Sequence, residues 1–521
     1  MSPRGLQPRE QADAQPDTTT NRRNDAAGEA RILTMPEGAA APPPLSAEQA
    51  GATMRSKRYV VLLAICAVVG VVVSLAAWGF LELIHQIQQE VFTHLPHALG
   101  YSHGPPKWWP LPVLALGGVV TGFAIARLPG SGGHIPADGL ASGGPPPRPT
   151  ELTGIMLAAI ATIGLGLVLG PEAPLIALGS GLGALALSSS RRDVPSEVVT
   201  VVAAAGAFAA LSLIFESPLI AAVVLIEATG IGGARLPLVL LPGLMAAGIG
   251  SLISVGMGSF TGLSTSAYAL GTLQLPVLAR PTVAEFGWTI ALAIVVAILT
   301  RIVMQAGRRT HALVSHRELT LLPVIGLIVA GLAIAFSQAA GKSFQEVLFS
   351  GQDQLPGLIA QAGTWSLSAL ALLIVFKGLA YALCLGSFRG GPTFPALFLG
   401  AAGGIMASHL AGFSITPAVA VALGAATVAV LRLPLTGVVI AALLTSKSGL
   451  GAEPLVIVGV VVSYLVTLLL STPRRKPTPA TETPAAVSPS EPAVAGGNGD
   501  SARAARRPPA ALQDCGVETS T

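Results

Sequence analysis

Charge is what this sequence has least of. Asp, Glu, Lys and Arg make up only 11% of its 521 residues, against about 25% in soluble domains. With 52% hydrophobic residues and a mean hydropathy of +0.69, that deficit excludes an ordinary soluble domain and describes an integral membrane protein. Aromatic residues are also scarce, at 5%. The alternating segments of ~10 residues and the aromatic girdles of a transmembrane barrel do not occur. Three cysteines, Cys66, Cys384 and Cys515, lie far apart and form neither a disulfide framework nor a metal-ligand pattern, so no metal and no cofactor is expected. The formal charge is only +4, and the basic residues sit at segment ends without interleaved aromatics, which argues against nucleic acid as a partner.

What is abundant is small and apolar. Glycine alone contributes 60 residues, which suits helices that approach closely in a bilayer. Apolar stretches of the ~20 residues needed to cross a membrane recur from Val60 to Leu470. Residues 1–55 and 473–521 are polar and rich in Pro and Ala. Both are expected to be disordered tails around a transmembrane domain at 56–472. The first 30 residues hold no apolar core of a signal peptide. Arg55, Lys57 and Arg58 precede the first span, and Arg474, Arg475 and Lys476 follow the last. The positive-inside rule then places both termini in the cytoplasm of a multi-pass protein of the cell membrane. "GRRTHALVSHRE" near residue 310 is a further inside candidate, and the nearly uncharged stretch around residue 270 suits the outside.

Hydrophobic segments start near Arg58, Trp109, Leu152, Pro174, Val194, Pro218, Leu236, Val283, Leu321, Trp365, Gly391, Ala418, Pro434 and Pro454. Several are shorter than a full span and open at Pro or Gly. Broken segments at bilayer depth are tolerated only where backbone is buried in protein or lines a cavity. An internal repeat accompanies them. "PLIALGSGLGALA" from Pro174 lies without gaps on "PALFLGAAGGIMA" from Pro395, and "PLIAAVVLIEAT" from Pro218 on "PLTGVVIAALLT" from Pro434. Two homologous halves, about 58–256 and 281–472, with matched broken helices predict an all-α transporter whose site lies between the halves, near the bilayer midplane.

Helices that start at that depth leave their first N–H groups unpaired and present about half a positive charge. Such ends hold anions without a lysine or arginine. Three stretches fit: "PGSGGHIPADGL" from Pro129, "GPEAPLIALG" from Gly170 and "GGPTFPALFLG" from Gly390. Within the second stands Glu172, an acid flanked by apolar runs, and intramembrane acids are expensive and usually functional.

These stretches resemble, in order and approximate spacing, the signature motifs GSGIP, GREGP and GxFxP of the CLC family of chloride channels and chloride/proton antiporters. The similarity covers about residues 58 to 470. It implies a CLC-like fold of two inverted repeats, a homodimer with one anion pathway per subunit, chloride as the transported ion, and no enzymatic activity. It also implies a gating role for Glu172, whose carboxylate would occupy an anion site and leave on protonation. The implied anion-binding residues are Ser131, Gly132, Gly133, Gly170, Ala173, Thr393 and Phe394. The pore serine position falls on Ser131 or on Gly133, depending on whether "GSG" or Ile135–Pro136 is the anchor.

Departures from the pattern are equally specific. Pro171 replaces the arginine of the second motif and Ala173 its following glycine. Pro392, which has no N–H, falls where a donor is expected, and Tyr464 is too early to be the family's pore tyrosine. Related antiporters end the "PL…IE" segment with two acids. Here Glu227 matches the first, and Ala228 stands at the second. Glu227 is therefore a candidate for a proton path, but ~100° around the helix from the usual acid, and a structural hydrogen-bonded role competes with it. A glutamate-gated chloride pathway of channel type is the leading expectation, and a chloride/proton antiporter the alternative. A hydrolase built on Ser131 and His134 and a cation carrier built on Glu172 and Glu227 are the readings from other classes. Lys377 and Arg432 are expected to be paired or snorkelling, and Glu216 and Glu346 to lie at loop edges.

Overall fold

A computed structural model describes residues 46–140, 144–188, 194–261 and 269–471. The tail expected at 473–521 and the basic pair Arg191–Arg192 lie outside the described residues. So does most of the expected tail at 1–55, but residues within Ala47–Met54 form a helix, α1. Ser46 and Gln49 close a capping box at its start, so order begins earlier than the polar composition suggests.

The described residues are mostly helical. α2 (Lys57–Gln89) passes through a π-helical turn, Glu90–His94, into α3 (Leu95–Ala98). There follow α4 (Pro110–Arg127), α5 (Pro149–Gly164), α6 (Glu172–Ser188), α7 (Ser196–Ile214), α8 (Pro218–Thr229) and α9 (Leu236–Thr261). The second half comprises α10 (Val283–Val314), α11 (Glu318–Ala340), α12 (Leu355–Ala360), α13 (Leu367–Ser387), α14 (Thr393–Ala407), α15 (Ile415–Leu431), α16 (Pro434–Leu444) and α17 (Glu453–Ser471). Among the described residues, eight helical stretches are long and apolar enough to cross a membrane, and α5, α6, α8, α14, α15 and α16 are shorter apolar helices.

Local chemistry sets these boundaries. Thr282 and Glu285 form a capping box that opens α10. Ser217 caps α8 with Pro218 at its first position, where a missing N–H costs nothing. The left-handed Gly230 and Gly341 end α8 and α11.

The repeat inferred from sequence is visible as matched packing. α6 crosses α7 at Gly179 and Gly206, where a methyl on either would run into the other's carbonyl. α14 crosses α15 in the same way, with Gly400 and Gly404 against the backbone at Ala422 and Ala418. The halves are joined by α4 on α11, where Gly118 faces the Leu322–Pro323 backbone and Gly326 faces Leu114. At these three crossings small residues let helices pack backbone to backbone. Because helices joined by short loops reverse direction, Lys57, Arg127, Arg148, Arg235 and Arg317, at helix ends, and Arg308, in the last two turns of α10, lie on one side. This is the basic side of the molecule.

Candidate anion site

The two matched broken helices meet through their first turns. The segments that lead into them, ending at Gly170 and Gly391, pair as an isolated antiparallel bridge. Gly170 N–H donates to Gly391 O at 2.8 Å, and Gly391 N–H donates back to Gly170 O. The bridge holds the start of α6, at Glu172, against the start of α14, at Thr393.

Glu172 is 1% exposed. Its Oε1 accepts from Thr393 N–H at 2.6 Å and from Phe394 N–H at 3.2 Å. These are orphan donors of α14's first turn, and the carboxylate also lies in the first turn of its own helix, where the dipole favours negative charge. Two neutral helix ends thus stabilise one buried anion. Oε2 is buried without a hydrogen-bond partner and rests against Gly170 and Gly391, where a Cβ on either residue would overlap it. Phe394 stacks on Phe215, with ring centroids 5.4 Å apart. Pro392, which cannot donate, contributes its carbonyl instead: the buried Tyr381 hydroxyl donates to it at 2.6 Å.

A cavity of about 710 Å³ opens beside this seat. Ala173, Pro174 and Gly390 line its deep end, next in sequence to Glu172 and Gly391, and Thr229, Ile231 and Leu236 line it at the basic face. Arg389 also lines it and is only 6% exposed. Its Nε donates to Ser131 O at 3.3 Å and one terminal nitrogen to Phe388 O at 3.2 Å. No described carboxylate forms an ion pair with it. Those partners are carbonyls, so no ion pair among the described residues neutralises the charge it brings to the cavity wall.

The first motif departs from expectation. No helix begins at Pro129–Gly133; one 3-10 turn, Pro136–Asp138, stands there instead. Gly130, Ser131, Gly132 and Gly133 all have positive φ, a conformation that continues no right-handed helix. The Pro145–Pro147 run then blocks helix before α5. Gly132 and Gly133 line the cavity, whereas Ser131 is exposed and turns its carbonyl to Arg389. Of the two anchors for the pore serine position, the cavity wall therefore carries Gly133. Its N–H is already bonded to Gly130 O at 2.7 Å, as that of Gly170 is to Gly391, so neither is a free amide donor. Thr393 and Phe394 are the donors that converge, and Ala173 lies on the wall in α6's first turn. His134 Nε2 donates to Gly139 O at 3.0 Å rather than serving Ser131.

Glu227 does not face the cavity. Leu225, Ile226 and Thr229 line it, while the Glu227 carboxylate accepts from Leu435 N–H at 2.9 Å and Thr436 N–H at 2.7 Å. It caps α16. Lys377 is fully buried and donates to the Glu346 and Leu348 carbonyls, each at 2.9 Å. That fastens the Phe344–Gln354 segment to α13. Glu216 lies exposed at the corner between α7 and α8.

The family model described as voltage gated chloride channel matches residues 117–468. The chain belongs to this family. The voltage gated chloride channel match spans all three glycine- and proline-rich stretches and ends within α17. Among curated relatives, the "Putative ion-transport protein YfeO" of Escherichia coli (strain SE11) is 31% identical over 360 residues, covering 67% of this chain and 79% of the relative. Its namesake from Salmonella paratyphi A is 31% identical over 357 residues, 67% of this chain and 81% of the relative. Among solved structures, a slow cyanobacterial Cl-/H+ antiporter superposes with a TM-score of 0.63 at 18% identity, over 79% of this chain and 95% of that one. A CLC-type fluoride/proton antiporter gives 0.55 at 15%, over 78% and 95%. The likeness to solved structures is one of fold: an all-helical CLC architecture.

Sequence reasoning missed Arg389 and Tyr381. Arg389 had a legible signal, an arginine directly before Gly390–Gly391 in a stretch expected at mid-membrane. Tyr381 had none, since nothing in sequence shows that its hydroxyl reaches Pro392.

Proposed function

We propose that this protein passes small anions, chloride foremost, through the junction of α6 and α14, and that Glu172 gates the passage. The observation that carries this reading is the seat of Glu172 Oε1 on the Thr393 and Phe394 amides. A carboxylate oxygen there stands in for an anion, so the charged side chain and a transported ion compete for the same two donors. Protonation removes the charge that these N–H groups stabilise, a neutral carboxyl is a weaker acceptor, and the amides become free for an ion. The path on the basic side is the cavity from Leu236 to Ala173, with Arg389 as its fixed positive charge. Arg389 supplies a cation near the place where the family's second motif has an arginine and this chain has Pro171.

Uncoupled anion passage is favoured over proton exchange by two residues. Glu227 is engaged as a cap on α16 and turned from the cavity, and Ala228 stands at the usual position of the second acid. The solved neighbours named as proton antiporters carry the exchange reading as the alternative. We propose further that the protein assembles as a homodimer in the cell membrane, with both termini cytoplasmic.

The deciding experiment is chloride efflux from reconstituted vesicles. The Glu172→Gln variant keeps the size of the side chain and removes its charge. Hydrogen bonds to charged groups contribute ~1.5–3 kcal/mol against ~0.5–1.5 for neutral ones, so weakening two of them raises flux at neutral pH on the order of tenfold or more. Wild-type flux rises with acidity, and the variant's is flat. A variant with wild-type pH dependence overturns the gate.

A further inference from the structure

A second cavity, of about 70 Å³, lies on the basic side between α10, α15 and α17, away from the Glu172 seat. Arg301, Arg308 and Arg432 line it together with Asp138 and Thr467. We propose that it is a seat for a phosphate group, carried by an anionic phospholipid or free in the cytosol, and that its occupancy acts on the inner mouth of the anion path.

The charges do not balance without a ligand. Three guanidinium groups face one carboxylate, and the Arg308–Asp138 pair is loose, at 3.8 Å with both side chains partly exposed. Arg432 caps the C-terminus of α15, whose end carries about half a negative charge. That still leaves more than one positive charge in excess. The other partners are neutral: the Gln305 amide oxygen, oriented to accept from Arg301 at 3.1 and 3.2 Å, and the Ser471 hydroxyl for Arg432 at 3.3 Å.

Thr467 points to the same ligand independently. It is 3% exposed, lines this cavity, and its hydroxyl has no hydrogen-bond partner. A buried hydroxyl left unpaired is costly, and a phosphate oxygen at the arginines would pair it. Guanidinium forks match phosphate oxygens in pairs, and basic pockets between helices at the cytoplasmic side suit anionic headgroups. Ile302 and Leu468, next to Arg301 and Thr467, are exposed apolar side chains along which acyl chains can lie. Asp138 lines both this cavity and the large one beside Glu172. A phosphate competing for Arg308 therefore releases Asp138, in the loop that forms the inner wall of the path.

The test measures binding first, so that it stands apart from the transport reading. Purified full-length protein is titrated with phosphatidylglycerol, phosphatidylcholine and inorganic phosphate, and adducts are counted by native mass spectrometry. Arg301→Gln combined with Arg432→Gln is expected to weaken phosphatidylglycerol binding about 25-fold, at about fivefold per arginine. Thr467→Val weakens it less, in the same direction, without touching a charge. Arg309→Gln, an exposed arginine on the same helix but outside the cavity, leaves it unchanged. If the variants lose inorganic phosphate and not phosphatidylglycerol, the phosphate seat stands and its source is the cytosol. Equal binding by wild type and both sets of variants overturns the proposal. So does equal binding of the neutral lipid, or an equal loss with Arg309→Gln. Chloride flux in vesicles with and without phosphatidylglycerol then reads the effect on the path, which alone rests on the proposed function.

Discussion

Glu172 Oε2 touches the Cα positions of Gly170 and Gly391 where any other residue would place a methyl group. Neither glycine has a positive φ, so alanine suits the backbone, and what it displaces is the carboxylate. Gly391→Ala is accordingly expected to mimic an unseated gate. Chloride flux at neutral pH should rise by about tenfold, the equivalent of one lost charge-assisted hydrogen bond, with a flattened pH profile and an unchanged elution volume on size exclusion. A variant that folds and keeps wild-type pH dependence would show that the seat is looser than described. Arg389 makes a different kind of prediction. It touches no part of the Glu172 seat, and its charge acts on ions in the cavity. Arg389→Gln should lower the apparent affinity for chloride from the basic side severalfold, with the gate's pH dependence intact. Flux measured against internal chloride separates the two effects, and the difference should shrink at high ionic strength.

Between residues and the whole chain, the helix starts explain what could be read in advance. Pro218, Leu236, Val283 and Pro434 begin helices at the positions expected from sequence, because Pro or an apolar residue stands at the first turn. α5, α11 and α15 begin three residues before the expected Leu152, Leu321 and Ala418. α5 and α11 open on polar turns, as where Glu151 accepts from Arg148 N–H, and hydropathy does not register a polar turn; α15 opens on Ile415, Thr416 and Pro417 behind Ser414. The second and third motifs were legible because an acid and paired prolines are conspicuous in apolar sequence. The first was misread as a helix start, since "GSGGHIP" has the composition of one while its four successive positive φ angles forbid it. Side-chain reach across elements had no sequence signal at all, and the α13–α14 elbow shows its effect. Tyr381 on α13 holds the Pro392 carbonyl just before α14's donors, so Tyr381→Phe removes a buried hydrogen bond that contributes about 0.5–1.5 kcal/mol. The expected outcome is a lower midpoint in a thermal-shift measurement with the acid activation of flux retained. Loss of acid activation instead would place Tyr381 in the gate rather than in its support.

For the molecule as a whole, the two halves contribute unequally to their shared site. The first half supplies the carboxylate and the second the amides that bind it, so the pseudo-symmetric helix starts are not interchangeable. The same asymmetry recurs at α8 and α16, where Glu227 of the first half caps the helix start of the second. Proton-coupled exchange requires a proton to reach Glu172 from both sides of the membrane. On the basic side the first motif offers glycines, Ser131 faces away, and the one acid at the end of α8 is turned from the cavity and already hydrogen-bonded. Asp138 remains at the mouth, a loop residue near the surface. On the proposed reading, protons regulate the passage without being carried in fixed ratio. In vesicles loaded with high chloride, the outward chloride gradient should drive no uphill proton movement, and the reversal potential should follow chloride alone across a pH gradient. Proton accumulation that persists in Glu227→Gln and disappears in Asp138→Asn would overturn that proposal and place the inner proton acceptor at the mouth of the cavity.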